Sequence, residues 1–214
     1  PSLSKTNIAK VNIWHDTKRL LRIRAFLLVG ISVILVSFSF GIIMPVIPLF
    51  IQELAGHDDI LSIAGQIFAL ASLVGAIAAV LIGKMSDRWG VQKTLTVSLV
   101  VSAFFYLAEG FATSVFALAS LIVLNGVSTS AIRPVSNALV SRVVPEADRG
   151  KAYGIMTSAG ALGFALGPVS GGYIAALWGF QAVFILTSLL FISVGIWAYK
   201  AMEGLDRIDV EALS

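Results

Sequence analysis

Gly83-Lys84-Met85-Ser86-Asp87-Arg88-Trp89-Gly90 is a short polar turn set between two long apolar segments. Its frame returns 89 residues on: Gly83, Trp89, Gly90 and Gln92 align without a gap on Gly172, Trp178, Gly179 and Gln181. The same offset pairs Pro45 with Pro134 and Gly65 with Gly154. These identities share one fixed offset and are mostly Gly, Pro or Trp, which marks the chain as two copies of one unit. If each copy holds three membrane spans, an odd number, the second copy enters the bilayer from the opposite side. The two copies are then related by inversion.

Composition places the chain in a bilayer. Hydrophobic residues make up 57% and charged residues 13%, where soluble domains run at about 45–50% and about 25%. The mean hydropathy is +0.93. There are no cysteines, so neither a disulfide framework nor a thiolate metal site is expected. His15 and His57 lie outside the apolar segments and show no ligand spacing. No phosphate-binding glycine loop, metal cluster or nucleophile–base pair is evident, so the chain does not read as an enzyme or an ATP-driven pump.

A membrane helix needs about 20 mostly apolar residues. Six segments qualify: 25–51, 60–82, 94–110, 115–140, 152–177 and 181–199. The expected fold is therefore an all-α membrane protein, six transmembrane helices arranged as two inverted three-helix repeats over 25–199. Residues 200–214 form a polar tail. A soluble helical domain would need polar outer faces, and these segments have almost none. Residues 1–24 mix Lys5, Lys10, Lys18, Arg19, Arg22 and Arg24 with Ile8, Val11, Trp14 and Leu21 at near-helical spacing. They read either as a basic cytoplasmic surface helix on an anionic membrane or as a solvated linker.

The cations set the orientation, and they explain the pI near 9.4 without nucleic acid. Besides those in the lead, Lys84, Arg88 and Lys93 flank the second connection, and Arg142, Arg149 and Lys151 the fourth. Lys200 and Arg207 follow the last span. With six spans all of these fall on one side, which the positive-inside rule makes cytoplasmic, with both termini in. The first connection carries Glu53, Asp58 and Asp59 instead.

The turn matches the G-x-x-x-D-R-x-G-[RK]-[RK] signature at Gly83, Asp87, Arg88 and Gly90, with Val91 and Gln92 at the two basic positions and Lys93 following. In motif and position it resembles the major facilitator superfamily. A second stretch, Gly163 to Gly172, carries Gly163, Gly167, Pro168, Gly171 and Gly172. It is similar to the G-x-x-x-G-P-x-x-G-G motif of that superfamily's drug–proton antiporters. The resemblance covers 25–199. It implies that the turn is a conformational switch and that the glycine motif governs helix bending and leak. It also implies alternating access, with efflux of hydrophobic or cationic compounds from the cell (inner) membrane, driven by the proton gradient and without a cofactor. Physically, Asp87 is expected to satisfy N–H groups at the start of the third span. Glycines four apart make a stripe for close helix approach, as do Ala71, Gly75, Ala79 and Gly83 in span two. A plain interhelical turn and ordinary small-residue packing are the blander readings. A transporter of a defined metabolite, or a six-span scaffold that moves nothing, is the alternative function.

Few polar groups lie within spans. Arg133 is the one charge well inside, and such a residue marks a functional site by default; its side chain could instead snorkel towards the cytoplasmic face. Glu109 is expected at a solvated outer rim rather than as a proton carrier. Gln66, Asn125 and Asn137 are candidates for a cavity or for interhelical hydrogen bonds. The superfamily's members are usually built from two six-span halves, so a second half, in the same polypeptide or as a homodimer partner, is implied. The start at Pro1, the eroded signature after Gly90 and the arginine-free stretch Ile122–Gly126 favour the C-terminal half, although the glycine motif is best known from the first half. On that reading the proton carrier belongs to the other half, and these spans hold no buried carboxylate.

Overall fold

A computed structural model describes residues 24–56 and 59–211, and the described elements are helical throughout. They run α1 (Arg24–Ala55), α2 (Ile60–Trp89), α3 (Val91–Glu109), α4 (Val115–Ser130), α5 (Ile132–Val143), a 3-10 turn (Glu146–Asp148) and α6 (Arg149–Glu211). The basic lead over 1–23 lies outside the described residues.

Five stretches are long and apolar enough to cross a bilayer: Val29–Ala55, Ile60–Trp89, Val91–Glu109, Val115–Ser141 and Glu146–Lys200. Helices α4 and α5 together make the fourth. Ala131 between them keeps a helical φ of −79° and ψ of −23°, and Pro134 lacks the N–H that would reach Ser130. The fifth stretch merges the two spans expected at 152–177 and 181–199. Its 55 residues would measure roughly 80 Å as one rod at 1.5 Å per residue, against a hydrocarbon core of about 30 Å. The helix breaks inside this run at Gly179, whose φ of 80° and ψ of 169° are not helical.

Gly179 has a counterpart. The polar turn of the sequence is almost wholly helical: α2 continues through Trp89, α3 starts at Val91, and Gly90 alone reverses the chain with φ 91° and ψ 142°. Both glycines need the positive φ that side chains resist, and both stand 89 residues apart in the repeat. This corrects the expectation for Asp87. It sits in the last turn of α2 rather than ahead of α3, and no side chain caps α3.

Close packing of small residues joins α1 to α6. A methyl built on Gly163, Gly167 or Gly171 would overlap the α1 backbone at Ile34, Gly41 or Ile42. Glycine is required there because the two backbones occupy the space a side chain would take. A looser version joins α2 to α4: a methyl on Gly126 would stand 2.9 Å from the Ala71 carbonyl oxygen. Past the Gly179 break, rings hold α6 in place. Phe50 of α1 meets Phe180 and Phe184 at 5.8 and 5.5 Å, and Phe191 takes Phe40 and Tyr106 edge-on at 5.9 and 5.0 Å. Outward faces carry large apolar groups such as Leu61, Phe116 and Val169. Serine hydroxyls on the spans return to their own helix, as Ser120 to Phe116 and Ser170 to Leu166, which satisfies them where lipid offers no partner.

Gly172 departs from the stripe, with nothing within 4 Å of a methyl built on it. Gly167→Leu is therefore expected to abolish recovery of monodisperse protein, since overpacking costs about 1–3 kcal/mol even where side chains can yield. Gly172→Ala should leave thermal stability within about 0.5 kcal/mol. Size-exclusion profiles and thermal unfolding of the two variants in detergent check this.

Candidate functional site

The α2 stripe puts one small residue per turn, Ala71, Gly75 and Ala79, on the face towards α1 and α4. The neighbouring helices meet at the glycines, but the space beside them stays unfilled. A cavity of about 560 Å³ results, lined within 37–47 of α1, 68–79 of α2 and 122–133 of α4 and α5, with Tyr106 and Glu109 from α3 and Phe164 from α6. The lining stretches of α1, α2 and the α4–α5 rod lie near the middle of their helices, which sets the cavity at mid-depth, and Tyr106 and Glu109 border it from the end of α3. A second space of about 440 Å³ lies between α1, α3, α5 and α6.

Glu109 is the main departure from expectation. It is not a rim residue: it is 1% exposed and borders the first cavity. It ends α3, where Gly110 lets the backbone close on Phe184 of α6, a built methyl standing 2.8 Å from its Cβ. Asn125 of α4, 4% exposed, donates from Nδ2 to Glu109 Oε1 at 3.0 Å. Glu109 Oε2 and Asn125 Oδ1 have no hydrogen-bond partner among the described residues. The spans do hold a buried carboxyl group, contrary to the sequence reading. An unpaired anion in such a place carries a large desolvation cost.

Arg133 borders both cavities and is exposed to them, with no ion-pair partner among the described residues. It lies eight positions along the α4–α5 rod from Asn125, about 12 Å at 1.5 Å per residue. The cavity thus carries an acidic group at one end and a cation towards the other. Asn137 borders the second cavity, and its carbonyl accepts from the Tyr153 hydroxyl at 3.2 Å. Gln66 borders neither cavity; it is exposed and donates to Ser62 Oγ at 3.3 Å.

The polar turn lies apart from the cavities, and within the glycine motif Phe164 borders both of them. Asp87 and Arg88 are exposed at the end of α2. Arg88 and Lys93 flank a surface groove that includes Tyr199 of α6, whose carbonyl accepts from Gln92 Nε2 at 3.2 Å. Gly83 and Gly90 belong to this turn and Gly163, Gly167 and Gly171 to the α1 contact, so none of them touches the first cavity. Sequence reasoning missed Tyr106 and Ser72. Tyr106 stands one turn before Glu109 on α3, a spacing that puts both on one face. Among the described residues no group of His, Asp or Glu could hold a metal.

The Major Facilitator Superfamily model matches residues 29–210. The chain is 34% identical over 174 residues to the multidrug resistance protein MdtG of Proteus mirabilis, covering 80% of this chain and 43% of that protein. It is 29% identical over 178 residues to the class B tetracycline resistance protein of Escherichia coli, covering 82% and 44%. It spans less than half the length of these relatives. Its fold matches the crystal structure of the human organic anion transporter MFSD10 with a TM-score of 0.65 at 21% identity, over 82% of this chain and 46% of that one.

Removing the amide at Asn125 would strip Glu109 of its one hydrogen bond. Asn125→Ala is expected to lower stability by about 1–3 kcal/mol, whereas Gln66→Ala on the exposed face should stay within about 0.5 kcal/mol. Thermal unfolding in detergent distinguishes the two.

Proposed function

Since the chain belongs to the Major Facilitator Superfamily, we propose that it forms one six-span half of a secondary transporter exporting hydrophobic or cationic organic solutes in exchange for protons. The observation that carries this is the mid-depth cavity of about 560 Å³. Apolar walls suit a lipophilic solute, and sparse polar groups such as Asn125 and Arg133 would orient it. The likeness to multidrug and tetracycline resistance proteins supports the solute class.

The six-span, inverted-repeat reading rests on paired contacts. The 89-residue offset takes Ala71 to Gly160 and Ser37 to Gly126. Gly126 packs on Ala71, and a methyl built on Gly160 would stand 3.1 Å from Ser37 Oγ. One contact is thus the repeat image of the other, and the reversals at Gly90 and Gly179 are a further matched pair. Inversion puts Gly90 and Gly179 on opposite faces. The cation-bearing connections then share the cytoplasmic face. A second half would close the open side of the cavity, and rocking between the halves gives alternating access.

The turn at Asp87, Arg88 and Lys93 serves in this account as the switch. Its exposed charges suit contacts made in one state and released in the other. Asp87→Asn is expected to slow solute flux by about tenfold while leaving insertion and thermal stability unchanged. Flux from proteoliposomes holding the complete polypeptide checks this; unchanged flux removes the switch. The same vesicles test the solute class. Efflux of structurally unrelated lipophilic cations down an imposed proton gradient is the expected result. Movement of a single sugar or organic acid alone would favour the metabolite alternative.

A further inference from the structure

The second cavity, about 440 Å³ between α1, α3, α5 and α6, differs in character from the first. No carboxylate lines it, and Arg133 is its one charged side chain. Ser37 of α1, Ser136 and Asn137 of α5 and Thr157 of α6 share the lining with it. Hydroxyls on these spans often close on a carbonyl of their own helix, as those of Thr129 and Ser130 do beside the first cavity. The hydroxyls of Ser37, Ser136 and Thr157 and the side-chain amide of Asn137 have no such partner among the described residues. The cavity thus offers a cation and several unspent hydrogen-bond donors. Arg133 itself has no ion-pair partner among the described residues. Glu109 does not border this space and is engaged by Asn125, about two helical turns along the α4–α5 rod.

A cation within a span calls for an anion, and a guanidinium matches the two oxygens of a carboxylate with parallel N–H donors. The position of Arg133 says what else such a ligand carries. Ser37, Phe40, Arg133 and Phe164 border both cavities, so the two spaces adjoin at these residues. On the far side the first cavity presents apolar walls such as Ile43, Ile47 and Phe68. Resting on the transport reading above and narrowing its solute, we propose that the second cavity is an oxyanion site for a lipophilic acid. Arg133 pairs with the carboxylate or sulfonate of the solute. Ser136, Asn137 and Thr157 donate to its remaining oxygen lone pairs. The lipophilic body passes between Phe40 and Phe164 into the first cavity. A solute whose only charge is positive is repelled from the second cavity and confined to the first.

The test uses the complete polypeptide in detergent, with radiolabelled naphthaleneacetate and its neutral amide as probes that share one lipophilic body. The wild type should bind the acid about tenfold or more tightly than the amide, as one charge-assisted pair provides. Arg133→Gln should remove that preference through lost affinity for the acid, and Arg133→Lys should keep part of it. Thr157→Val, on the facing helix, should weaken the acid by about threefold and leave the amide nearly unchanged. A wild type that binds acid and amide alike, or binds neither, overturns the proposal, as does an Arg133→Gln protein that keeps the preference. Equal loss of both probes in Arg133→Gln and Arg133→Lys also overturns it, because it marks Arg133 as structural. Uptake of the acid into proteoliposomes tests the transport reading separately. Preference for the acid without flux removes that reading and leaves the anion site standing; flux without preference does the reverse.

Discussion

The close approach of α1 and α6 at Gly41 and Gly167 is the contact from which the remaining arrangement follows. In lipid, apolar side chains gain little by turning inward, so helices associate through packing and interhelical hydrogen bonds. Packing is densest where the side chains vanish. The chain therefore draws its helices together in pairs, α1 with α6 and α2 with α4, at glycine and alanine. Pairing at these lines leaves space between the pairs, and that space is the cavity.

A cavity with apolar walls raises the stakes for any polar group that faces it. Asn125 and Glu109 answer one another through one hydrogen bond and leave two acceptors open. Arg133 avoids the problem by standing exposed in the open part. The contrast separates two settings of an ionisable group among these helices: one exposed to the cavity, and one enclosed between neighbouring spans.

Much of this was legible in the sequence, because spans in a bilayer are announced by length and composition. The reversals at Gly90 and Gly179 were visible as repeat-related Trp-Gly pairs, and the α1 contact as glycines four apart. What could not be read was where each helix stops turning. The polar run from Gly83 to Trp89 looks like a loop, but it projects beyond the apolar depth, where water lets a polar helix continue. Hence Asp87 closes α2 rather than opening α3. Glu109 was misplaced for a related reason. Its position at a span end suggests a rim, and only the seating of Gly110 on Phe184 reveals that the end of α3 is tucked inside the bundle. Distance along one helix gives depth in the membrane; distance from the bundle axis depends on neighbours that the sequence does not display.

The central claim is that the mid-depth cavity opens to each side of the membrane in turn. The chain has no cysteine, so Ser72→Cys, a near-isosteric change at a cavity-lining position, gives a single reporter in this half. Its reaction with a membrane-impermeant thiol reagent should be measured from each side of sealed vesicles, with and without a transported lipophilic cation and a pH gradient. Alternating access predicts labelling from both sides, with the favoured side exchanged when the gradient is reversed. Labelling from one side under every condition, or from neither, would contradict it.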